Sequence, residues 1–177
     1  MANGDFAAAE ADFQQALAAR YRVAAIDLGL LLAALPGESR NVQRAVELYE
    51  QAWRDGVTIA AFELGDLYSH EPLSADDESR AWIWYQKGAD AGEPNALVRL
   101  AERAERAGLD SVDEAAKDSQ LLEAFKYYDA AADTARREAW PDEAWRNWRY
   151  RRASLARILA RRGLMQNVAK TLLTRKT

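Results

Sequence analysis

Small apolar residues recur along this chain at helical spacing. Alanine, an aromatic ring and a second small residue stand at i, i+4 and i+7 in Ala9-Phe13-Ala16, Ala45-Tyr49-Ala52 and Ala81-Tyr85-Gly88. Such a stripe occupies one face of a helix. Breakers separate the stripes. Gly56 and Gly92 sit where a helix would end in a left-handed residue, and Pro94 stands where the next helix would begin. Pro36-Gly37 closes one apolar run, and Pro141 opens another with Asp142 and Glu143 in its first turn, where the helix dipole favours negative charge. The pattern predicts nine helices, at 5–20, 23–35, 40–55, 58–70, 76–91, 94–107, 115–137, 141–162 and 165–175, and no strands.

The stripes are copies of one another. Windows beginning at Ala9, Ala45 and Ala81 align without gaps at a spacing of 36. Behind each stripe come Arg20, Gly56 and Gly92, then Ala24, Ala60 and Ala96, then Leu28, Leu64 and Leu100, then Gly29, Gly65 and Ala101. A looser fourth copy runs through Ala124, Tyr128, Ala131 and Ala135, shifted by 43. Its second half, with Leu155, Ala156 and Gly163, is shifted by 55, so twelve residues are inserted near Arg136–Trp148. Each copy reads as a helical hairpin that buries its inner stripe against its partner helix and the next hairpin. Alanine or glycine at the crossings lets the backbones approach, and Phe13, Tyr49, Tyr85 and Tyr128 fill wider spaces between them. The predicted units are a half unit at 5–20, then 23–55, 58–91 and 94–137, and a divergent pair at 141–175 with the insertion at 136–148. The chain starts on the second helix of a unit, which reads as part of a longer array.

Composition agrees with close helix packing. Of 177 residues, 37 are alanine, whereas Val, Ile, Leu and Phe together number 35, few for a thick globular core. There is no cysteine, so neither disulfides nor thiolate chemistry is expected. No run of 18 apolar residues is present, and Met1-Ala2-Asn3-Gly4-Asp5 has no basic or apolar leader character, so neither a membrane span nor a signal peptide is expected. The compartment and the oligomeric state are left open. Charge is uneven. Residues 1–135 carry 12 Lys/Arg against 25 Asp/Glu, a net of −13, whereas residues 136–177 carry 12 against 3, a net of +9. An acidic body with a basic end suggests charge matching within the chain or with a partner.

No catalytic or cofactor constellation is visible. His70 is the only histidine and reads as solvated at a helix end. No serine lies in a Gly-x-Ser-x-Gly elbow or has a lysine three residues on, and no phosphate-binding glycine loop is present. Asp76-Asp77-Glu78 after Ser74 reads as a capped acidic first turn rather than a cation site. Trp82 and Trp84 cannot both face inward with Tyr85, so one is expected between units and the other partly exposed. Trp145 and Trp148 share a helix face with Leu155 and Leu159, and packing is favoured over an aromatic ligand platform. The arginines Arg146, Arg149, Arg151, Arg152, Arg157, Arg161 and Arg162 are spread around one helix, with Glu123, Asp129 and Asp133 on the helix before it as candidate partners. Pairing within the chain is favoured over an acidic protein partner, and that over nucleic acid. The candidate contact residues of this basic end are Arg146, Arg149 and Arg152.

The columns Ala60-x-x-x-Leu64-Gly65-Asp66-Leu67-Tyr68 and Ala81-x-x-Trp84-Tyr85-Gln86-Lys87-Gly88-Ala89-x-x-Gly92 resemble the Sel1-like repeats, relatives of the tetratricopeptide repeats. The resemblance covers nearly the whole chain and is strongest over 42–108. Arg20 in place of a terminating glycine, Arg151 in place of an alanine and the insertion depart from the pattern. The resemblance implies an all-α, right-handed superhelical solenoid whose concave face is lined by the first helix of each unit. Carried over, the lining positions are Val23, Ile26 and Leu30, then Ile59, Phe62 and Asp66, then Asn95, Val98 and Glu102, and finally Tyr150, Ala153 and Arg157. They would form a groove running from apolar to charged. The resemblance further implies a noncatalytic scaffold or adaptor that binds a protein or peptide, without a cofactor, in a signalling or bacterial envelope assembly. The opening segment from Gly4 to Phe13 is also similar to the start of envelope scaffolds in polysaccharide export. Two alternatives stay open: the repeat region of a larger enzyme, and a binder of nucleic acid or an acidic partner through the basic end.

Overall fold

A computed structural model describes residues 3–34, 41–70, 75–164 and 166. Among the described residues it contains eight helices and no strand. They are α1 (Asn3–Ala18), α2 (Ala24–Ala34), α3 (Val42–Arg54), α4 (Ile59–His70), α5 (Asp77–Asp90), α6 (Pro94–Asp110), α7 (Glu114–Arg137) and α8 (Asp142–Arg161). Apart from residue 166, the ninth helix expected at 165–175 lies outside the described residues, as does the Ser74 cap. The chain divides into two compact units, Met1–Gly88 and Ala89–Thr177.

In the first unit α2 packs against both α1 and α3, and α3 packs against α4. The repeat columns are its core: Ala45, Tyr49, Ala52, Ala60, Leu64, Ala81 and Tyr85 are all buried. Gly29 and Gly65 are the crossing points, with a different geometry from the one the spacing suggests. The tyrosines do not fill separate spaces. A methyl group on Gly29 would collide with the Tyr49 ring, and one on Gly65 with the Tyr85 ring. Glycine is required there because the ring occupies the space a Cβ would fill.

In the second unit α7 lies between α6 and α8. Its core joins Leu97, Ala101, Ala104, Leu121, Ala124, Tyr128, Ala131, Ala135, Trp145, Trp148, Leu155 and Leu159. Gly108 in the last turn of α6 admits the Leu121 side chain, which a Cβ there would touch at 2.9 Å.

The turns between successive hairpins share one device. Gly56 and Gly92 have φ of 85° and 80°, and Arg20 and Ala139 adopt the same left-handed conformation at 65° and 55°. The amide of Val57 donates to the Ala52 carbonyl, that of Tyr21 to Ala16 and that of Trp140 to Ala135, all at 2.9 Å. This is the bond that closes a helix C-terminus when the residue after it turns left-handed. Ala139 also shows where the twelve inserted residues go. By the column spacing, four lengthen α7 before its turn and eight lengthen the start of α8 after it. The insertion is helix rather than loop, and Trp145 and Trp148 fill the added interface.

Candidate interaction surfaces

The position three residues before each glycine or alanine crossing shares its helix face. It is therefore drawn into the hairpin contact. Ile26 precedes Gly29 in this way and is buried, and Val98 precedes Ala101 and is buried in the core of the second unit. Both were expected on an open face, and their burial removes them from it. Phe62 precedes Gly65 and is half-buried, its ring 6.3 Å from that of Tyr85. Ile59 is also half-buried. Val23, in the turn just before α2, and Leu30, seven residues on within that helix, remain open at 45% and 44% exposure.

The polar candidates are engaged in local bonds. The Tyr85 hydroxyl donates to Asp66 Oδ1 at 2.9 Å, and the carbonyl of Asp66 accepts from Nδ1 of His70 at 2.9 Å. His70 is exposed at the end of α4, as a solvated helix-end histidine. Asn95 donates to Glu93 Oε1 at 3.0 Å. Glu93 itself caps α6 by accepting from the amide of Ala96, and its burial holds its carboxyl above the usual glutamate range. Glu102 pairs with Arg99 at 3.4 Å and with Arg151 at 3.0 Å. Tyr150 is 69% exposed on α8, and Arg157 is exposed, with its Nε donating to the Ala153 carbonyl at 3.3 Å.

The basic end separates into two groups. Arg151, the departure from the alanine column, donates to the Tyr128 hydroxyl at 2.8 Å and lies 3.5 Å from Glu105, which accepts from that hydroxyl at 3.0 Å. Burial, and then the Glu105 charge, push the Tyr128 hydroxyl well above the ordinary tyrosine value. Arg152 pairs at 2.9 Å with the buried Asp129, and Arg162 reaches Glu114 at 2.6 Å and also Asp118. These three arginines tie α8 to α6 and α7. Of the other acids the sequence offered, Asp133 pairs with Arg136 at 2.7 Å, and Glu123 accepts from Tyr127 at 3.4 Å. Arg146 and Arg149 form the second group. They meet Glu143 at 3.2 Å and Asp142 at 3.7 Å at the exposed start of α8, and Arg149 stacks 4.9 Å from the Trp145 ring. Arg152 is half-buried and held by the buried Asp129.

Trp145 and Trp148 are buried, the packing role their spacing favoured, and Trp140 lies 5.9 Å from Trp148. Trp82 and Trp84 are both half-buried, on opposite flanks of Tyr85. Trp82 meets Tyr85 edge-on at 5.4 Å, and Trp84 meets Trp53 edge-on at 6.0 Å with the Lys87 ammonium 3.8 Å from its ring. Asp77 and Glu78 lie in the first turn of α5, the acidic turn the sequence suggested, and Asp77 is fully buried with Arg80 at 3.4 Å. A cavity of about 320 Å³ is lined by Leu17, Arg20, Arg22, Gln51 and Asp55, with Arg22 donating to the Asp55 carbonyl at 2.8 Å. Among the described residues, no group of His, Asp or Glu side chains is arranged to hold a metal ion, and no helix is long and apolar enough to cross a membrane.

No family model matches the sequence, and no curated protein matches it. Among solved structures, the chain is similar to the crystal structure of a Sel1 repeat protein from Oxalobacter formigenes, at 21% identity and a TM-score of 0.52. The likeness covers 85% of this chain and 62% of that one, so the chain spans less than two thirds of that protein's length. With the buried small-residue columns and the paired helices, this likeness identifies the fold as the all-α Sel1-like repeat fold.

Proposed function

We propose that this chain is a noncatalytic interaction scaffold that takes a protein or peptide partner on the first-helix face of its repeats. The fold supports this reading, since a repeat array of this kind presents extended surface rather than an enclosed pocket. The observation that carries it is the pair Val23 and Leu30. Isolated apolar residues on a surface are ordinary, but Val23 in the turn just before α2 and Leu30 on that helix are both exposed while the crossing column beside them is buried. The corresponding positions on α4 are the half-buried Ile59 and Asp66. The partner is a protein or peptide offering apolar side chains, in an adaptor assembly of the signalling or envelope type.

The test compares capture of binding partners by wild type, by Leu30→Asp and by a charge-reversed basic end. For the basic end, Arg146→Glu with Arg149→Glu is the informative variant, because Arg152 is structural. Phe62→Asp would disturb the Tyr85 contact and is avoided. Loss of partners with Leu30→Asp, and their retention in the Arg146 and Arg149 variant, is expected. The reverse outcome would move the binding site to the basic end.

A further inference from the structure

The cavity of about 320 Å³ in the first unit lies between the last turn of α1, the turn that follows it and the end of α3. The repeat explains why it is there. One period on, Leu17 becomes Trp53, Leu48 becomes Trp84 and Gln51 becomes Lys87. At that next corner the two indoles meet edge-on at 6.0 Å, and the Lys87 ammonium covers the Trp84 ring at 3.8 Å. Leucine and glutamine at the first corner leave room instead, at the lower end of the range of about 300–1,000 Å³ that small-molecule sites occupy. The corner also differs in charge. Arg20, Arg22 and Asp55 stand where the next copy has Gly56, Thr58 and Ala91. Arg20 holds φ of 65°, a conformation that its glycine counterparts enter freely and that costs an arginine strain. Strain of this kind gathers at binding sites, where it fixes a side chain in place. Among the described residues no carboxylate pairs with Arg20. Arg22 uses one N–H on the Asp55 carbonyl at 2.8 Å and keeps its other donors.

We propose that this cavity binds a free α-amino acid as its zwitterion, with the carboxylate on Arg20 and Arg22 and the ammonium on Asp55. Both signs of charge are built into the walls, and they match the two ends of that ligand. Guanidinium is the donor that suits a carboxylate. Asp55 caps the C-terminus of α3, where carbonyls without helical partners carry partial negative charge and favour a cation. Its carboxylate and that helix end therefore act together on the ammonium. The same helix end opposes a doubly charged anion, which argues against phosphate. Gln51 brings an amide that both donates and accepts. The half-buried Leu17 gives the wall an apolar face for an aliphatic side chain. The site does not use Val23 or Leu30 and needs no protein partner, so it stands apart from the scaffold reading.

Calorimetric titration of the full chain with L-leucine tests this, with NMR shift mapping to place the site. L-Leucine is expected to bind and to shift resonances within residues 17–22 and 51–55. N-acetyl-L-leucine lacks the ammonium and leucinamide lacks the carboxylate, so each should bind more weakly by about tenfold or more. Inorganic phosphate should not compete. Arg20→Gly restores the residue of the other copies and relieves the strained backbone, so it should stay folded while weakening L-leucine binding by about tenfold or more. Leu17→Trp places at this corner the ring that Trp53 supplies at the next, and should block binding with both arginines in place. Failure of L-leucine to bind at millimolar concentration, or shifts confined to other residues, would overturn the inference. So would N-acetyl-L-leucine, leucinamide or phosphate binding as tightly as L-leucine, or an Arg20→Gly chain that binds as wild type does.

Discussion

The Tyr85 hydroxyl donates to Asp66 at 2.9 Å while the ring of the same residue lies against the Cα of Gly65. One side chain thus reads two adjacent residues of α4, one by shape and one by hydrogen bond. The glycine makes room for the ring, and the carboxylate satisfies the hydroxyl that the close approach shields from water.

Gly65→Ala is accordingly expected to destabilise the chain, although alanine is the better helix former. A Cβ at that position must push the Tyr85 ring away, at a cost of about 1–3 kcal/mol. Chemical denaturation should show a lowered midpoint. Tyr85→Phe should cost about 1 kcal/mol through the lost hydrogen bond. Gly65→Ala combined with Tyr85→Ala should cost less than the sum of the single changes, because the clash disappears with the ring.

The left-handed turns give a prediction of opposite sign. Ala139 adopts φ of 55°, where a side chain costs about 1–2 kcal/mol that glycine avoids. Part of that gain is offset by the greater freedom of glycine in the unfolded chain. Ala139→Gly should raise the unfolding temperature by a few degrees in a calorimetric scan. A lowered temperature would mean that the Ala139 methyl group makes packing contacts that outweigh the backbone strain.

Glu93 links stability to pH. Burial raises its folded-state pKa above that of the unfolded chain, so the folded form holds its proton over a window that begins in the ordinary glutamate range and extends upward. Across that window the native state binds more protons, and stability falls as pH rises. Glu93→Gln keeps an acceptor for the Ala96 amide and removes the titration. The variant should show a flatter dependence of the unfolding midpoint on pH in this window, with the difference measured by denaturation at matched ionic strength.

Arginines that look alike in the sequence should separate on mutation. Arg152→Ala removes the 2.9 Å hydrogen-bonded partner of the buried Asp129 and should cost about 1–3 kcal/mol. Arg146→Ala breaks a pair in which both side chains are more than two-thirds exposed, so its effect should be under about 0.5 kcal/mol. Equal effects in thermal unfolding would contradict the division of the basic end into an interior and a surface group.

The fold was legible because its columns are chemically extreme. Glycine, alanine and tyrosine at one spacing have few other readings, and seven columns in three copies leave little room for accident. Arg20 broke the glycine column in letters but not in conformation, and the period located its turn correctly. The insertion was legible in length only. Added helical turns carry no proline or glycine signal, so the lengthening of α7 and α8 emerged from Ala139 and the buried Trp145 and Trp148. The groove was the least legible feature. Whether a position next to a crossing faces solvent depends on the helix that covers it, which is why Ile26 and Val98 proved to be core while Val23 and Leu30 did not. The Glu93 cap was missed because glutamate rarely caps, and Pro94 after it was the sole local sign.

The central claim, that a partner lies along the α2 side of the repeats, is tested most directly by site-specific photocrosslinking in the native host. A photoreactive residue at position 30 should yield a discrete adduct with a partner protein, and the same residue at position 146 should not. Adducts from position 146 with none from position 30 would contradict the account.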